Sequence, residues 1–163
     1  MMVIKEIGRL LLLFALQVLL FDHLHVGHWG IAMVYILFLL NLPVRIPRWA
    51  EMLIGLLVGL MMDIWHSSLG IHIAACVALS FARPLLLNQA VQDVERIKDN
   101  ISFQTIGRIE YTKCVVILTI LHHFIVFTLE SWNLAFWWII LLQTIVSSIM
   151  TLCFILGHEY LKR

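Results

Sequence analysis

Apolar runs dominate the sequence, and most of them are long enough to cross a membrane as a helix, with short polar breaks between them. A membrane-spanning helix needs about 20 mainly apolar residues. Such runs cover residues 7–21, 29–42, 50–65, 69–87, 114–129 and 134–156, of which the second is short. Charged residues make up 13% of the chain, against roughly 25% in soluble domains. We predict one all-α integral membrane domain, residues 1–163, folded as a six-helix transmembrane bundle.

The breaks between these runs have identifiable causes. Pro43 and Pro47 separate the second run from the third, because proline cannot continue the hydrogen-bond ladder of a helix. The longest connection, residues 88–113, is too polar to span a membrane. Within it, Val91, Val94, Ile97 and Ile101 recur at helical spacing, which is typical of an amphipathic helix on a membrane surface. This segment is either a docking site for a cytoplasmic partner or a solvated connector.

The basic residues predict the orientation of the bundle. With the N-terminus in the cytoplasm, all eleven Lys and Arg residues fall on the inner side of the six predicted helices. The positive-inside rule therefore favours an arrangement with both termini in the cytoplasm. The chain has a net charge of only +1, which argues against a nucleic-acid-binding protein, because such proteins usually carry a basic stripe. We expect contact with membrane lipid and none with nucleic acid.

Two glycines and an acid lie on one face of the third predicted helix. Gly55, Gly59 and Asp63 are four residues apart, and glycines at this spacing let another helix approach closely. Asp63 precedes a small polar turn that ends at Gly70. The carboxylate is predicted to accept hydrogen bonds from this turn or from the first amides of the fourth helix. A contact with a partner protein and a role in proton transfer are the alternatives.

The remaining polar residues at depth predict bonds between helices. His122 and His123 lie in the fifth predicted helix, with Glu130 at its outer end. Gln17 lies in the first helix, and Gln143, Ser147 and Thr151 form a stripe on the sixth. Such side chains hold membrane helices together by hydrogen bonds. A metal site at the histidines would need further converging ligands.

The sequence shows no arrangement typical of catalysis. It has no Gly-rich phosphate loop, no nucleophile elbow and no paired nucleophile and base. We therefore expect a protein that is not an enzyme and that has no catalytic residue, no metal site and no cofactor.

Several segments resemble one family of bacterial membrane proteins. The strongest likeness is the run from Gly55 through Gly59 and Asp63 to Trp65, followed by a turn and residues 69–72, Leu-Gly-Ile-His. This pattern resembles the central signature of the rod shape-determining protein MreD family. Further similar segments are Leu16-Gln17, Arg83-Pro84, and the stretch from His122-His123 to Leu129-Glu130.

The resemblance implies a function and a location. Members of this family are non-enzymatic proteins of the bacterial inner membrane that associate with MreC. Through MreC they associate with the MreB filament, with the glycosyltransferase RodA and with its class B penicillin-binding transpeptidase. The implied role is to couple these filaments to peptidoglycan synthesis and so to maintain cell shape, without a small-molecule substrate. By position, Gly55, Gly59, Asp63 and Gly70 would shape the hairpin of the third and fourth helices.

The family fold is similar to that of the substrate-binding subunits of energy-coupling-factor vitamin transporters, which gives an alternative function. Those subunits carry small residues four apart on the first helix, where the coupling subunit docks. Here residues 10–17 read Leu-Leu-Leu-Leu-Phe-Ala-Leu-Gln, with one small residue. The predicted outer turns are also short, whereas those subunits bind ligands with their outer loops.

Overall fold

The computed structural model describes residues 2–24, 30–90, 101–132, 135 and 137–161. Within these residues the chain forms helices and no extended strand. In chain order the α-helices are α1 (Met2–Leu19), α2 (Ile36–Leu40), α3 (Arg48–His66), α4 (Ile71–Ala90), α5 (Phe103–Ile106), α6 (Arg108–Ser131) and α7 (Trp137–Leu161). One turn of 3-10 helix, Phe21–His23, follows α1.

Among the described residues, four helices are long and apolar enough to cross a membrane, namely α3, α4, α6 and α7. They confirm the third, fourth, fifth and sixth predicted runs as helices. Helix α1 confirms that the first run is helical, but its 18 residues include Lys5, Glu6 and Arg9, and it is not one of these four. Helix α3 packs on α4, α4 on α6, and α6 on α7.

The prediction of a transmembrane helix over residues 29–42 is wrong. Within the described part of this run, only Ile36–Leu40 are helical, and the residues from Gly30 to Tyr35 are not. Residues 32–42 are all buried. Hydropathy reports burial in an apolar environment and not backbone conformation, so a buried irregular segment has the same signal as a short helix.

Residues 30–42, which we call the core segment, run antiparallel to α1. Near one end, Gln17 of α1 bonds the backbone of Ala32 and Val34. Near the other, Arg9 bonds the carbonyl oxygens of Phe38 and Asn41. Its helix α2 also contacts α3, α4 and α6. The core segment is therefore the centre around which the long helices are arranged.

The two ends of the bundle differ in chemistry. The end we call the basic end holds Arg9, Arg45, Arg48 and Arg83, and α6 begins there. The opposite end, which we call the histidine end, holds the 3-10 turn, the turn between α3 and α4, and the last turn of α6. One cavity opens at this end, and the described ionisable residues in its lining include Asp22, His23, His66, His72 and Glu130.

Helices α3 and α4 form a hairpin in which their backbones approach each other closely at Gly55 and Gly59. A Cβ atom on Gly59 would lie 2.5 Å from Ile73 Cα and 2.7 Å from the His72 carbonyl oxygen. A Cβ atom on Gly55 would lie 2.8 Å from the Cys76 carbonyl oxygen. Only glycine permits this approach of backbone to backbone, as the spacing of the two glycines predicted.

The connection predicted over residues 88–113 is shorter than expected at both ends. Helix α4 continues to Ala90, and α6 already begins at Arg108. These first residues of α6 are too polar for a bilayer interior, yet they suit an exposed helical turn, where Lys113 pairs with Glu110 at 2.9 Å. Of the amphipathic helix predicted around Val91, Val94, Ile97 and Ile101, only Ile101 lies within the described residues, where it is buried and not helical.

We predict opposite effects of alanine at two helical glycines. Gly59→Ala should lower the free energy of unfolding by about 1–3 kcal/mol, because its Cβ would overlap the backbone of α4. Gly157→Ala in α7 is the matched control, since a Cβ there meets nothing within 4 Å. It should leave stability unchanged or raise it by up to about 1 kcal/mol, because alanine favours helix. Thermal unfolding in detergent measures both, and equal losses would contradict the close packing at Gly59.

Candidate functional site

Asp63 holds the turn between α3 and α4. Its Oδ1 atom accepts a hydrogen bond from the backbone N–H of His72 at 3.0 Å and another from the Ser68 hydroxyl. Its Oδ2 atom accepts from the backbone N–H of Ile73 at 2.9 Å. The first amides of a helix have no partner in that helix and attract negative charge. The predicted hydrogen bonds to the turn and to the fourth helix are both confirmed.

The backbone of the turn also has a conformation that suits its sequence. Ser67 ends α3 in the left-handed region with φ of 54°, and Gly70 has φ of 85°. Glycine adopts such values without strain because it has no Cβ. Gly70 therefore reverses the chain so that the amides after it point at Asp63.

Along the first half of the core segment, polar side chains of α1 and α7 supply the hydrogen bonds that the backbone would otherwise form within a helix. Gln17 Oε1 accepts from the Val34 N–H at 2.7 Å, and its Nε2 donates to the Ala32 carbonyl at 3.0 Å. Ser147 and Thr151 accept from the N–H groups of Ile31 and Met33 at 3.1 and 3.0 Å. Irregular backbone is tolerated at membrane depth only where protein satisfies it in this way. Two members of the predicted polar stripe, Ser147 and Thr151, therefore bind the backbone of the core segment.

Near the basic end, two arginines donate hydrogen bonds to backbone carbonyl oxygens of the core segment. Arg83 Nε donates to the Leu40 carbonyl at 3.0 Å, and Nη2 donates to the Leu42 carbonyl. Its Nη1 forms a buried ion pair with Glu51. Arg9 donates to the Phe38 carbonyl at 3.4 Å and the Asn41 carbonyl at 3.3 Å. The charge of Arg83 is thus matched by a carboxylate and two dipoles, as burial of a charge requires.

The histidine pair of α6 is fully buried, and each ring has a different partner. His123 Nδ1 lies 2.8 Å from the Thr119 carbonyl oxygen, which can only accept, so Nδ1 carries the proton. In the neutral ring Nε2 is an acceptor and lies 3.2 Å from the Thr151 hydroxyl oxygen. That hydroxyl also lies 2.8 Å from the Ser147 carbonyl oxygen, so its one proton is shared between the two acceptors. His123 therefore joins α6 to α7 by a hydrogen bond, as predicted for this pair.

His122 bonds the core segment through Tyr35. The Tyr35 hydroxyl lies 3.0 Å from His122 Nε2 and 2.9 Å from His72 Nδ1. A phenol has one proton, so it donates to one ring and accepts from the other. Within the described part of the chain, His122 Nδ1 has no hydrogen-bond partner. No group of three or more His, Cys, Asp or Glu residues that could hold a metal ion occurs among the described residues.

A cavity of about 590 Å³ opens at the histidine end. Asp22 lies in its wall and accepts hydrogen bonds from Gln17 Nε2 at 2.7 Å and Trp65 Nε1 at 3.0 Å. His66 Nε2 lies 3.4 Å from the same carboxylate. The lining also includes Tyr35, Glu130 and Gln143 but no Lys or Arg among the described residues. A polar, carboxylate-bearing wall suits a neutral or cationic ligand.

The structure distributes the predicted site residues over several places. Gly55, Gly59, Asp63 and Gly70 lie in the α3–α4 hairpin. The other four predicted site residues are Gln17, His122, His123 and Glu130. Gln17 and Glu130 line the cavity, and the two histidines lie behind its wall. No described hydrogen bond joins Glu130 to His123, although the two residues lie seven positions apart on α6.

Sequence reasoning missed the residues that bind the core segment near the basic end. The sequence pointed to Arg83 only through the family resemblance and the charge distribution. It did not point to Glu51 or Asn41. Tyr111, which donates to Asn41 Oδ1 at 3.1 Å, was also missed. The available signal was an arginine inside an apolar helix, since a charge at that depth needs a partner.

No family model, no curated protein and no solved structure matches the chain.

We predict that Thr151 and Thr144, which lie two turns apart on α7, differ sharply in their effect on stability. Thr151→Val leaves the Met33 N–H and His123 Nε2 unpaired and should cost about 1–3 kcal/mol. Thr144→Val is the matched control, because Thr144 is equally buried and its hydroxyl has no described partner. Chemical unfolding in detergent and hydrogen exchange at Met33 measure the difference. Equal effects would mean that Thr151 does not support the core segment.

We predict that the turn depends on both oxygens of Asp63. Asp63→Asn puts an amide donor against a backbone N–H and should cost about 1–3 kcal/mol. Ser68→Ala removes one hydrogen bond and should cost about 1 kcal/mol. Hydrogen exchange at His72 and Ile73 should accelerate in the first variant and stay near its original rate in the second. Unchanged exchange in Asp63→Asn would contradict the capping role.

Proposed function

We propose that this chain is a non-enzymatic scaffold of the rod-elongation complex of bacteria, similar to the rod shape-determining protein MreD. In this proposal it binds MreC in the inner membrane and helps couple MreB filaments to peptidoglycan synthesis by RodA and its class B penicillin-binding transpeptidase. The observation that carries the proposal is the α3–α4 hairpin. The glycines and the aspartate of the resembling signature have defined tasks there, from the close approach at Gly55 and Gly59 to the cap at Asp63.

The distribution of polar and apolar side chains also favours a scaffold. The polar residues at depth are used inside the bundle, where Gln17, Thr151 and Arg83 bind the core segment. The outward surfaces of the long helices are apolar, as on α3, where Leu53, Leu57 and Ile64 are exposed. Apolar surfaces suit lipid and the helices of other membrane proteins.

We infer six crossings with both termini in the cytoplasm. The core segment lies beside α1 and connects the two ends of the bundle, since Gly30 lines the cavity at the histidine end and Arg45 follows the segment at the basic end. It therefore supports a crossing of its own between α1 and α3, although little of it is helical. Together with α1, α3, α4, α6 and α7 the total is six. The basic end, with Arg45 and Arg48 exposed, would then face the cytoplasm.

The cavity at the histidine end favours a second candidate function. Its volume of about 590 Å³ falls within the usual range of small-molecule sites, and several helices and the core segment enclose it. A substrate-binding subunit of an energy-coupling-factor transporter would use such a cavity on the outer side. The first helix has no row of small residues for the coupling subunit, which weighs against this function.

We predict that a tagged chain, expressed in a rod-shaped bacterium that carries MreC and solubilised gently, copurifies MreC, RodA and the transpeptidase. Mass spectrometry of the eluate identifies both proteins and retained small molecules. The control is an unrelated six-helix membrane protein with the same tag and expression level, which should recover none of the three.

Two results would contradict the scaffold. Recovery of an ATPase-linked coupling subunit, or of a vitamin bound in stoichiometric amount, would instead support the transporter subunit. Recovery of MreC at the level of the control protein would reject the proposed partner.

A further inference from the structure

A second cavity, of about 390 Å³, lies at the basic end between the 44–47 turn, the first turns of α3 and the last turns of α4. Arg45 and Arg48 are part of its lining and are exposed. Glu51 and Arg83 line it as well, and both are buried. The cavity thus has a cationic rim over a buried ion pair.

The buried carboxylate has an unused oxygen. Glu51 is only 2% exposed, and its Oε1 atom is paired with Arg83 Nη1. Its Oε2 atom has no hydrogen-bond partner in the described part of the chain. A buried acceptor without a donor is costly, so native proteins rarely leave one empty. Arg83 has no donor nitrogen left without a partner, because Nε and Nη2 bind the Leu40 and Leu42 carbonyls.

The two features together define a ligand. The exposed guanidinium groups of Arg45 and Arg48 suit a phosphate, and Glu51 Oε2 suits a hydroxyl or ammonium donor on the same molecule. Since the charges of Glu51 and Arg83 offset each other, the site carries two positive charges and favours a net anion. A phosphodiester with a terminal hydroxyl group meets both requirements.

The surroundings identify the ligand as a lipid. Trp49, which follows Arg48, is 69% exposed, as is typical of tryptophan at the membrane interface. Leu53, one turn further along α3, is exposed and apolar, which suits an acyl chain. Basic cavities between membrane helices are typical sites for anionic headgroups. We propose that this cavity binds the headgroup of an anionic glycerophospholipid of the phosphatidylglycerol type, with its phosphate at Arg45 and Arg48 and its hydroxyl at Glu51.

Native mass spectrometry of the purified chain with added lipid tests the site, because it counts retained lipids and gives their apparent Kd. Phosphatidylglycerol should bind about tenfold more tightly than phosphatidylmethanol, which has the same charge but no headgroup hydroxyl. It should also bind more tightly than phosphatidylcholine, which has no net charge and no donor. Equal affinity for phosphatidylglycerol and phosphatidylmethanol would overturn the role of Glu51.

Charge variants test the rim without disturbing the buried pair. Each basic residue contributes roughly fivefold to the affinity, so the double variant Arg45→Gln/Arg48→Gln should raise the Kd for phosphatidylglycerol about twenty-five-fold. The control Arg108→Gln/Lys113→Gln removes two exposed charges at the start of α6, outside the cavity, and should change the Kd less than twofold. Equal weakening in the two double variants would mean nonspecific attraction and would overturn the site.

A soluble probe distinguishes lipid from free phosphodiester. Glycerophosphoglycerol, the same headgroup without acyl chains, should compete only weakly, at millimolar concentration. Competition as strong as that of the intact lipid would overturn the lipid as ligand and assign the cavity to a soluble phosphodiester.

Discussion

The structure depends on one constraint, which is that the core segment must find hydrogen-bond partners away from water. A helix satisfies its own backbone, whereas residues 30–35 are buried without a helical ladder. Side chains of α1 and α7 supply the missing partners at one end, through Gln17 and Thr151. Arg83 supplies them at the other. An unsatisfied backbone group in hydrocarbon costs several kcal/mol, so the positions of these polar residues are tied to the path of the core segment.

This constraint separates the polar residues that build the fold from those that are free for function. Thr151, His123 and Asp63 are occupied within the bundle and are poor candidates for contact with a partner. Gly59 is likewise covered by α4, so a bulky substitution there would report on folding and not on a partner interface. The surfaces that remain are the apolar outer faces of the long helices and the cavities at the two ends.

The sequence predicted the hairpin well and the core segment poorly, for physical reasons. Two glycines and an acid, spaced four residues apart, specify a close approach and a cap between the consecutive helices α3 and α4. The interacting residues are near each other in sequence, so the pattern can be recognised from the sequence alone. The bonds of the core segment join residues far apart in sequence, such as Met33 and Thr151. Hydropathy could not reveal them, since Ile36 to Leu40 and the residues before them are equally apolar. The short length of the second run and an arginine within an apolar helix were the only hints.

The two ends of the molecule show how one segment can serve two different environments. At the histidine end the core segment contributes Tyr35 to a cavity wall that contains carboxylates and histidines but no Lys or Arg among the described residues. At the basic end its carbonyl oxygens at Leu40 and Leu42 hold Arg83 in place, and Arg83 in turn holds one oxygen of Glu51. Because Glu51 offsets the charge of Arg83, the buried pair adds no net charge to the cavity beside it, and the exposed Arg45 and Arg48 supply the attraction there. At this end Arg9 and Arg83 thus support the core segment, whereas Arg45 and Arg48 are left for the proposed binding.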